Sequence, residues 1–329
     1  MKHSVNKKSA ITFRKVAPVL LVVIIVSLIF IIATYFDNDF DKKNENDSNA
    51  IATIDYQGKT YELNQNVETL LILGLDKYED NSVSGSARND EQNDFNLLLS
   101  INNETKQVTP VLINRDTMVN MDVLGIAGDT INTTFAQLAL SHTYGDGNRT
   151  SCRNSADAVS TLFKNVLIDN YVSLTMNAVP VLNDMVDGVE VTVKDDFSGI
   201  DETLIKGQTV LLKGQHALNY VRGRYSVGNQ TNAERMIRQQ EYLKSLYEKM
   251  VEKSRSSETF IASCLSRIND DLVSNLDVNE LQTLGKKIEE YKLNECLFLD
   301  GKYQINNGYL EFYPDENDLL KITVDLFYE

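Results

Sequence analysis

A chain of 329 residues with 47 acidic against 32 basic side chains carries a formal charge of −15, which argues against nucleic acid as a general partner. Its three cysteines, Cys152, Cys264 and Cys296, have no CxxC partner and no histidine at zinc-like spacing. They argue against a zinc site and leave room for one disulfide outside the cell.

The run from Val16 to Ala33 is apolar apart from Ser27, about the length that crosses a hydrocarbon core as a helix. Lys2, Lys7, Lys8, Arg14 and Lys15 precede it, and Asp37, Asp39, Asp41, Glu45 and Asp47 follow. The positive-inside rule then makes residues 1–15 a cytoplasmic tail and residues 16–36 a single transmembrane helix, with the remainder extracellular. A cleaved signal peptide is the alternative, but no small-x-small site follows tightly. Residues 37–60 form a tether, opening on a polar composition that builds no core. A core domain is expected over 61–254 and an extension packed on it over 255–329.

Strands are expected at Val67–Leu73, Phe95–Ile101 and Val108–Ile113, all near-continuous apolar runs suited to a sheet covered on both faces. Pro110 makes an interior position for the third strand less comfortable. Helices are expected at Thr134–Ser141 and at Asn154–Leu167, the latter capped by Asn154 or Ser155. A strand at Tyr171–Met176, a helix at Val179–Met185 and a strand at Val189–Val193 come next, then paired short strands within Thr203–Leu212. A short helix at Gly214–Val221 precedes a long one at Asn232–Val251. Helices at Glu258–Ile268 and Val278–Tyr291 and strands at Leu310–Tyr313 and Lys321–Phe327 complete the chain. The alternation predicts a layered α/β/α domain with a central mixed sheet after the membrane helix.

Within this acidic chain four arginines crowd one stretch, YVRGRYSVGNQTNAERMIRQQ: Arg222, Arg224, Arg235 and Arg238. Arg235 and Arg238 are three apart and share a helix face. Arg222 and Arg224 are two apart, as on one face of an extended segment, and the intervening loop with Gly228 returns the chain. Guanidiniums so gathered fork onto phosphate oxygens; the bland alternative is a solvated basic face. Arg115-Asp116 follows an apolar strand, where Arg115 binds phosphate and Asp116 orients it or assists a proton transfer, or the two form only a local ion pair. Asp76 and Asp94 sit at strand ends and are carboxylates able to hold Mg²⁺, although Glu79, Asp80 and Asp90 rank equally on sequence.

These motifs together resemble the LytR–CpsA–Psr family of cell-envelope proteins. The resemblance covers roughly Glu68 to Leu243 and rests on LLILGLD ending in Asp76, Gln92-Asn93-Asp94 before FNLLLSI, INRDTMV with Arg115 and Asp116, and GQHALNYVRGR leading to ERMIRQQ. The resemblance implies a Mg²⁺-dependent phosphotransferase that moves a teichoic-acid-like or capsular polymer from a polyprenyl pyrophosphate carrier to peptidoglycan. It implies Arg115, Arg222, Arg224, Arg235, Arg238 and Gln239 as pyrophosphate ligands, and Asp76 and Asp94 as metal ligands. Arg115, Asp116 and Asp94 are then the catalytic set. Gln92 and Tyr78 stand where the family pattern has arginines, and Asn232 where it has an aspartate. HTYGDG with nearby Cys152 suggests a variant subgroup. The departures keep open a non-catalytic binder of lipid-linked precursors. Direct DNA binding is disfavoured because the expected cytoplasmic tail is too short for a helix-turn-helix.

Overall fold

Two short strands, β1 (Thr53–Tyr56) and β2 (Lys59–Glu62), pair antiparallel across Gln57-Gly58, both in left-handed backbone as a tight hairpin requires. They open a computed structural model that describes residues 52–76, 89–223, 227–228, 232–257 and 259–329. Two compact units emerge, a sheet unit of residues 36–174, 272–280 and 290–329, and a helical unit of residues 175–271 and 281–289 with 1–35 assigned to it. Among the described residues no helix is long and apolar enough to cross a membrane. The expected span at 16–36 lies outside them.

The apolar runs become the centre of the sheet unit. β3 (Val67–Asp76), β4 (Gln92–Asn102) and β5 (Gln107–Ile113) form an antiparallel core. Alternate residues of β3 and β4 serve opposite faces, and both sets are buried: Leu71, Leu73 and Leu98 on one, Leu70, Ile72 and Leu97 among the others. β6 (Met118–Leu124) and β7 (Thr130–Gln137) then form a separate antiparallel ribbon. The helix expected at 134–141 is therefore a strand up to Gln137 and a 3-10 turn from Leu138 to Thr143. The β-branched run of TINTT prefers the pleated surface offered by β6.

Helix α1 spans Arg149–Leu162, five residues earlier than its periodicity suggests, and ends where Lys164 and Asn165 turn into left-handed backbone. Asn154 does not cap it. Its amide is buried inside the helix and donates to the Ser141 carbonyl at 2.8 Å. β8 (Asn170–Thr175) returns to the sheet beside β3. The helical unit follows with α2 (Ala178–Met185), the paired strands β9 (Val189–Thr192) and β10 (Thr209–Leu212), α3 (Gln215–Arg222), α4 (Asn232–Ser256) and α5 (Phe260–Ile268).

The last stretch completes the sheet. β11 (Leu272–Ser274) pairs with β8; after α6 (Val278–Glu290), β12 (Lys292–Leu293) and β13 (Leu297–Phe298) run parallel to β5. The sheet is mixed and has seven strands in the order β11-β8-β3-β4-β5-β12, with β13 also on β5. Pro110 explains the split edge. β12 pairs at Gln107–Val108 and β13 at Val111–Leu112, on either side of the one residue with no N–H to give. β14 (Gly301–Asn306) and β15 (Tyr309–Pro314) form a hairpin, and α7 (Glu316–Phe327) closes the chain. The strand expected at 321–327 is thus helical. Asp315 caps it by accepting from the amides of Asn317 and Asp318. All three residues of the β-branched ITV are buried, and Ile322 packs with α1 residues against β3, β4 and β5.

Candidate active site

Local register builds the first cluster. A Cβ on Gly74 would meet Phe95 Cβ at 2.9 Å, so the close approach of β3 to β4 there requires glycine. One residue further the register shifts. Gly74 opposes Phe95 but Leu75 opposes Asn93, leaving Asp94 as the extra residue of a β-bulge, a device that re-aims a side chain. On the other side of β4, Asn96 opposes Ile113. Continued past the end of β5, that antiparallel register brings Arg115 across from Asp94.

The side chains meet accordingly. Arg115 Nη1 donates to Asp94 Oδ1, Nη2 donates to Gln92 Oε1 at 2.7 Å, and Nε lies 3.6 Å from Asp116 Oδ1. Asn114 Oδ1 accepts from the Asp116 amide at 3.0 Å and fixes the turn. The first amides of the 3-10 helix, Leu138 and Ala139, donate to the carbonyls of Thr117 and Arg115 at 2.7 and 2.9 Å, so each end satisfies the other. Gln137 Nε2 reaches both Asp116 Oδ1 (3.3 Å) and the Leu310 carbonyl (2.7 Å). Gln137 and Asn114 were not legible as site residues, since nothing in TTFAQ or INRD separates them from ordinary polar positions. Asp76 ends β3 opposite Gln92 in the same unit.

Behind this cluster lies a buried polar network. Asn89, Glu91 and Asn93 alternate with Asp90 and Gln92, and they bind inward. Asn89 Nδ2 donates to Ser151 Oγ at 3.0 Å, and His142 Nδ1 lies 3.2 Å from the Glu91 carbonyl. His142 Nε2 sits 3.6 Å from Cys152 Sγ, which also reaches Ser173 Oγ at 3.3 Å. HTYGDG and Cys152 therefore support the start of β4. Burial pushes the Cys152 thiol up to about 12, so it stays protonated and un-nucleophilic despite its histidine. All three cysteines are buried free thiols, so the disulfide that the sequence left room for is not formed. Burial likewise raises Cys264 to about 11 and Cys296 to about 12. Iodoacetamide at pH 8 is expected to leave the folded chain unmodified and to add three groups in denaturing urea, as read by intact mass.

The second cluster lies in the helical unit. Arg238 is 3 % exposed. Its Nη1 donates to Asp195 Oδ2 at 2.8 Å, its Nη2 to the Gly223 carbonyl and its Nε to the Tyr220 carbonyl at 3.4 Å. Its guanidinium carbon sits 5.2 Å from the Phe197 ring centre, and that ring stacks on Tyr220. Gln239 Nε2 donates to the Val221 carbonyl at 3.1 Å. Together the two side chains cap the open carbonyls where α3 ends. Arg222 is the last residue of α3, and Arg235 lies buried one turn before Arg238 on α4. Arg224 and Tyr78 lie outside the described residues, and the side chain of Asn232 does too.

Nearby, Asp201 accepts from the Thr203 amide and hydroxyl, from Asn219 Nδ2 (3.0 Å) and from His216 Nδ1 (2.7 Å). Burial raises its carboxyl, but these hydrogen bonds outweigh it and hold the group at about 2, below the usual carboxylate value. A depressed folded value means stability that is present above the unfolded value near 3.8 and is lost as pH falls toward about 2. Asp201→Asn is expected to flatten urea midpoints between pH 4 and 2 relative to the parent chain.

The LytR_cpsA_psr family model matches residues 29–327, nearly the whole chain. The chain belongs to the LytR_cpsA_psr family. Within it, the chain is 26% identical over 219 residues to the polyisoprenyl-teichoic acid–peptidoglycan teichoic acid transferase TagU of Enterococcus faecalis, covering 66% of this chain and 64% of that one. The chain thus spans just under two thirds of the length of that curated relative. It is 28% identical over 260 residues to TagU of Oceanobacillus iheyensis, covering 78% of this chain and 74% of that one. Among solved structures, TagT bound to LIIa-WTA aligns with a TM-score of 0.55 and 23% identity, over 80% of this chain and 90% of that one. The shared LytR_cpsA_psr fold is the layered α/β arrangement with a central mixed sheet.

Proposed function

We propose that this chain transfers a phosphoglycopolymer, teichoic-acid-like or capsular, from a polyprenyl pyrophosphate carrier to peptidoglycan. The observation that carries the reading is Arg115, held by Asp94 and Gln92 with Asp116 alongside, at the open ends of the central strands. Phosphoryl transfer needs positioning and charge stabilisation more than an elaborate nucleophile. A planar guanidinium fixed on two sides supplies both. The relatives named TagU and the TagT complex with LIIa-WTA support the same class of donor and acceptor.

In this reading an acceptor sugar hydroxyl attacks the phosphorus next to the donor sugar. The new phosphodiester forms as the bond to the bridging pyrophosphate oxygen breaks. Polyprenyl phosphate leaves with that electron pair, and the hydroxyl proton passes to Asp116, or to Asp94 where the latter is not engaged by the cation. Arg115 takes the charge that develops on the phosphoryl oxygens. Arg222, Arg224 and Arg235 are proposed pyrophosphate ligands. Arg238 and Gln239 hold the end of α3, which carries Arg222, and Arg238 keeps its remaining donors for the anion.

The donor set fits Mg²⁺. Among the described residues no group of three or more His, Cys, Asp or Glu side chains converges, but Asp76 and Asp94 are hard oxygen donors, and Mg²⁺ bound by one or two carboxylates takes its other ligands from water and substrate phosphate. Arg115 with Asp94 and Asp116 sums to one net negative charge, which repels pyrophosphate. A divalent cation on Asp76 and Asp94 would offset that charge. Gln92 contributes a neutral acceptor where the family pattern has arginine, which would leave more of the neutralisation to a cation held by Asp76 and Asp94. Residues 16–36 are proposed to anchor the chain beside its lipid-linked donor.

The gap left by that missing arginine favours one second reading, a binder of lipid-linked precursors without turnover. Mass spectrometry of the purified full chain with a polyprenyl-pyrophosphate glycan, peptidoglycan fragments and Mg²⁺ separates the two. A phosphodiester-linked product with released polyprenyl phosphate supports transfer. Bound but unchanged donor supports the binder.

A further inference from the structure

Two hairpins of the sheet unit leave aromatic rings in solvent beside the Arg115 cluster. Phe135 on β7 is 53 % exposed and Tyr309 on β15 is 68 % exposed. The hairpins are joined to each other and to the cluster. The Phe312 amide donates to the Asp116 carbonyl at 2.8 Å, Gln137 bridges Asp116 and the Leu310 carbonyl, and the rings of Phe135 and Tyr313 lie 6.3 Å apart. Side chains two apart on a strand share a face, so Phe135 and Gln137 look the same way on β7, as do Tyr309, Glu311 and Tyr313 on β15. Across the β14–β15 register, Tyr309 faces Asn306, Glu311 faces Gln304 and Tyr313 faces Lys302. The result is a row of rings interleaved with amides and charges that leads to Asp116.

We propose that this face, from Tyr309 through Tyr313 to Phe135, binds the glycan strand of the acceptor and presents its hydroxyl at Asp116. The inference rests on the transferase reading above for what is done with that hydroxyl, but not for the binding itself. A pyranose ring has an apolar C–H face that lies on an aromatic ring and a rim of hydroxyls that needs amides and charged groups at its edge. An apolar lipid chain would offer nothing to the polar ends of Gln304 and Lys302 or to the pair in which Tyr313 Oη donates to Glu311 Oε2 at 2.6 Å. A polyanionic teichoic polymer would meet Glu311, and Asp122 on the outward side of β6, with Lys302 as the facing cation. In a peptidoglycan strand the muramoyl carboxyls are amide-linked to the stem peptides, so the sugar backbone itself carries no charge and meets neither penalty.

The test uses the full chain in detergent micelles and a soluble, uncrosslinked glycan strand of alternating N-acetylglucosamine and N-acetylmuramic acid that keeps its amide-linked stem peptides. The exposed rings allow Phe135→Ala/Tyr309→Ala to be made without removing core. The double variant is expected to weaken calorimetric binding of the strand by roughly tenfold or more, each ring contributing up to about tenfold. Phe135→Tyr/Tyr309→Phe is expected to restore it. In transfer assays the acceptor KM rises by the same factor while donor KM and kcat hold. An unchanged Kd in the double variant, no binding of the strand by the parent chain, or displacement of the strand by a poly(glycerol phosphate) chain overturns the assignment. The two readings fail separately. Strand binding lost in the double variant with no turnover of any donor keeps the subsite and removes the transferase. Turnover with an unaltered acceptor KM in the double variant does the reverse.

Discussion

Arg115→Ala is expected to lower polymer transfer by roughly 10²–10³-fold, the usual cost of deleting one preorganised charge-stabilising donor. The same substitution is expected to weaken the fold. The Asp94 side chain is 3 % exposed and holds Arg115 directly, and Asp116 is nearly as buried. Breaking a buried pair from one side leaves an uncompensated charge and costs about 3–5 kcal/mol. The two effects come apart in Arg115→Ala/Asp94→Asn, which removes the stranded charge along with the guanidinium. Urea midpoints should recover most of the loss in the double variant while transfer stays low. Recovery of transfer together with stability would mean that Arg115 only holds the strand ends. Arg115→Lys keeps the charge but not the fork that reaches Asp94 and Gln92 at once, and is expected to recover little activity.

Arg238→Ala is expected to be the most destabilising single substitution in the helical unit, by about 3–5 kcal/mol. It strands Asp195, uncaps the carbonyls of Tyr220 and Gly223, and empties the space over the Phe197 ring. Against a total stability of about 5–15 kcal/mol for a typical domain, that is a large fraction. Arg238→Lys should recover less than half, because an ammonium cannot serve an aspartate and two carbonyls from one position. Urea unfolding followed by circular dichroism measures the loss. A variant that keeps its midpoint yet loses transfer would mean that the donors Arg238 offers the anion matter more than its hold on the end of α3.

What was legible in the sequence follows physical signal strength. β3, β4 and β5 were readable because strands buried on both faces are apolar at nearly every position, and LLILGL and FNLLLSI leave little other use for such runs. TTFAQLALS and KITVDLF were misread in opposite directions. In the first, no strong alternation marks the stretch up to Gln137 as a strand, because its partner, β6, decides its fate. In the second, the β-branched ITV masked a helix whose start is set by Asp315 several residues earlier. For the site, the arginines and aspartates stood out by charge in an acidic chain. Their partners did not. Gln137 and Asn114 gain meaning only from register and from a hairpin nearly two hundred residues further along the chain, and the bulge that aims Asp94 is a property of two strands at once.

The divided edge at Pro110 bears on solubility. An exposed strand edge with continuous N–H and C=O groups is a template on which other chains add. Here β5 is covered by two strands of two residues each, and the break between them falls where proline has no donor. The sheet therefore ends in fragments too short to recruit a further strand. The safeguard against edge-to-edge aggregation on this side of the sheet thereby rests on a single ring.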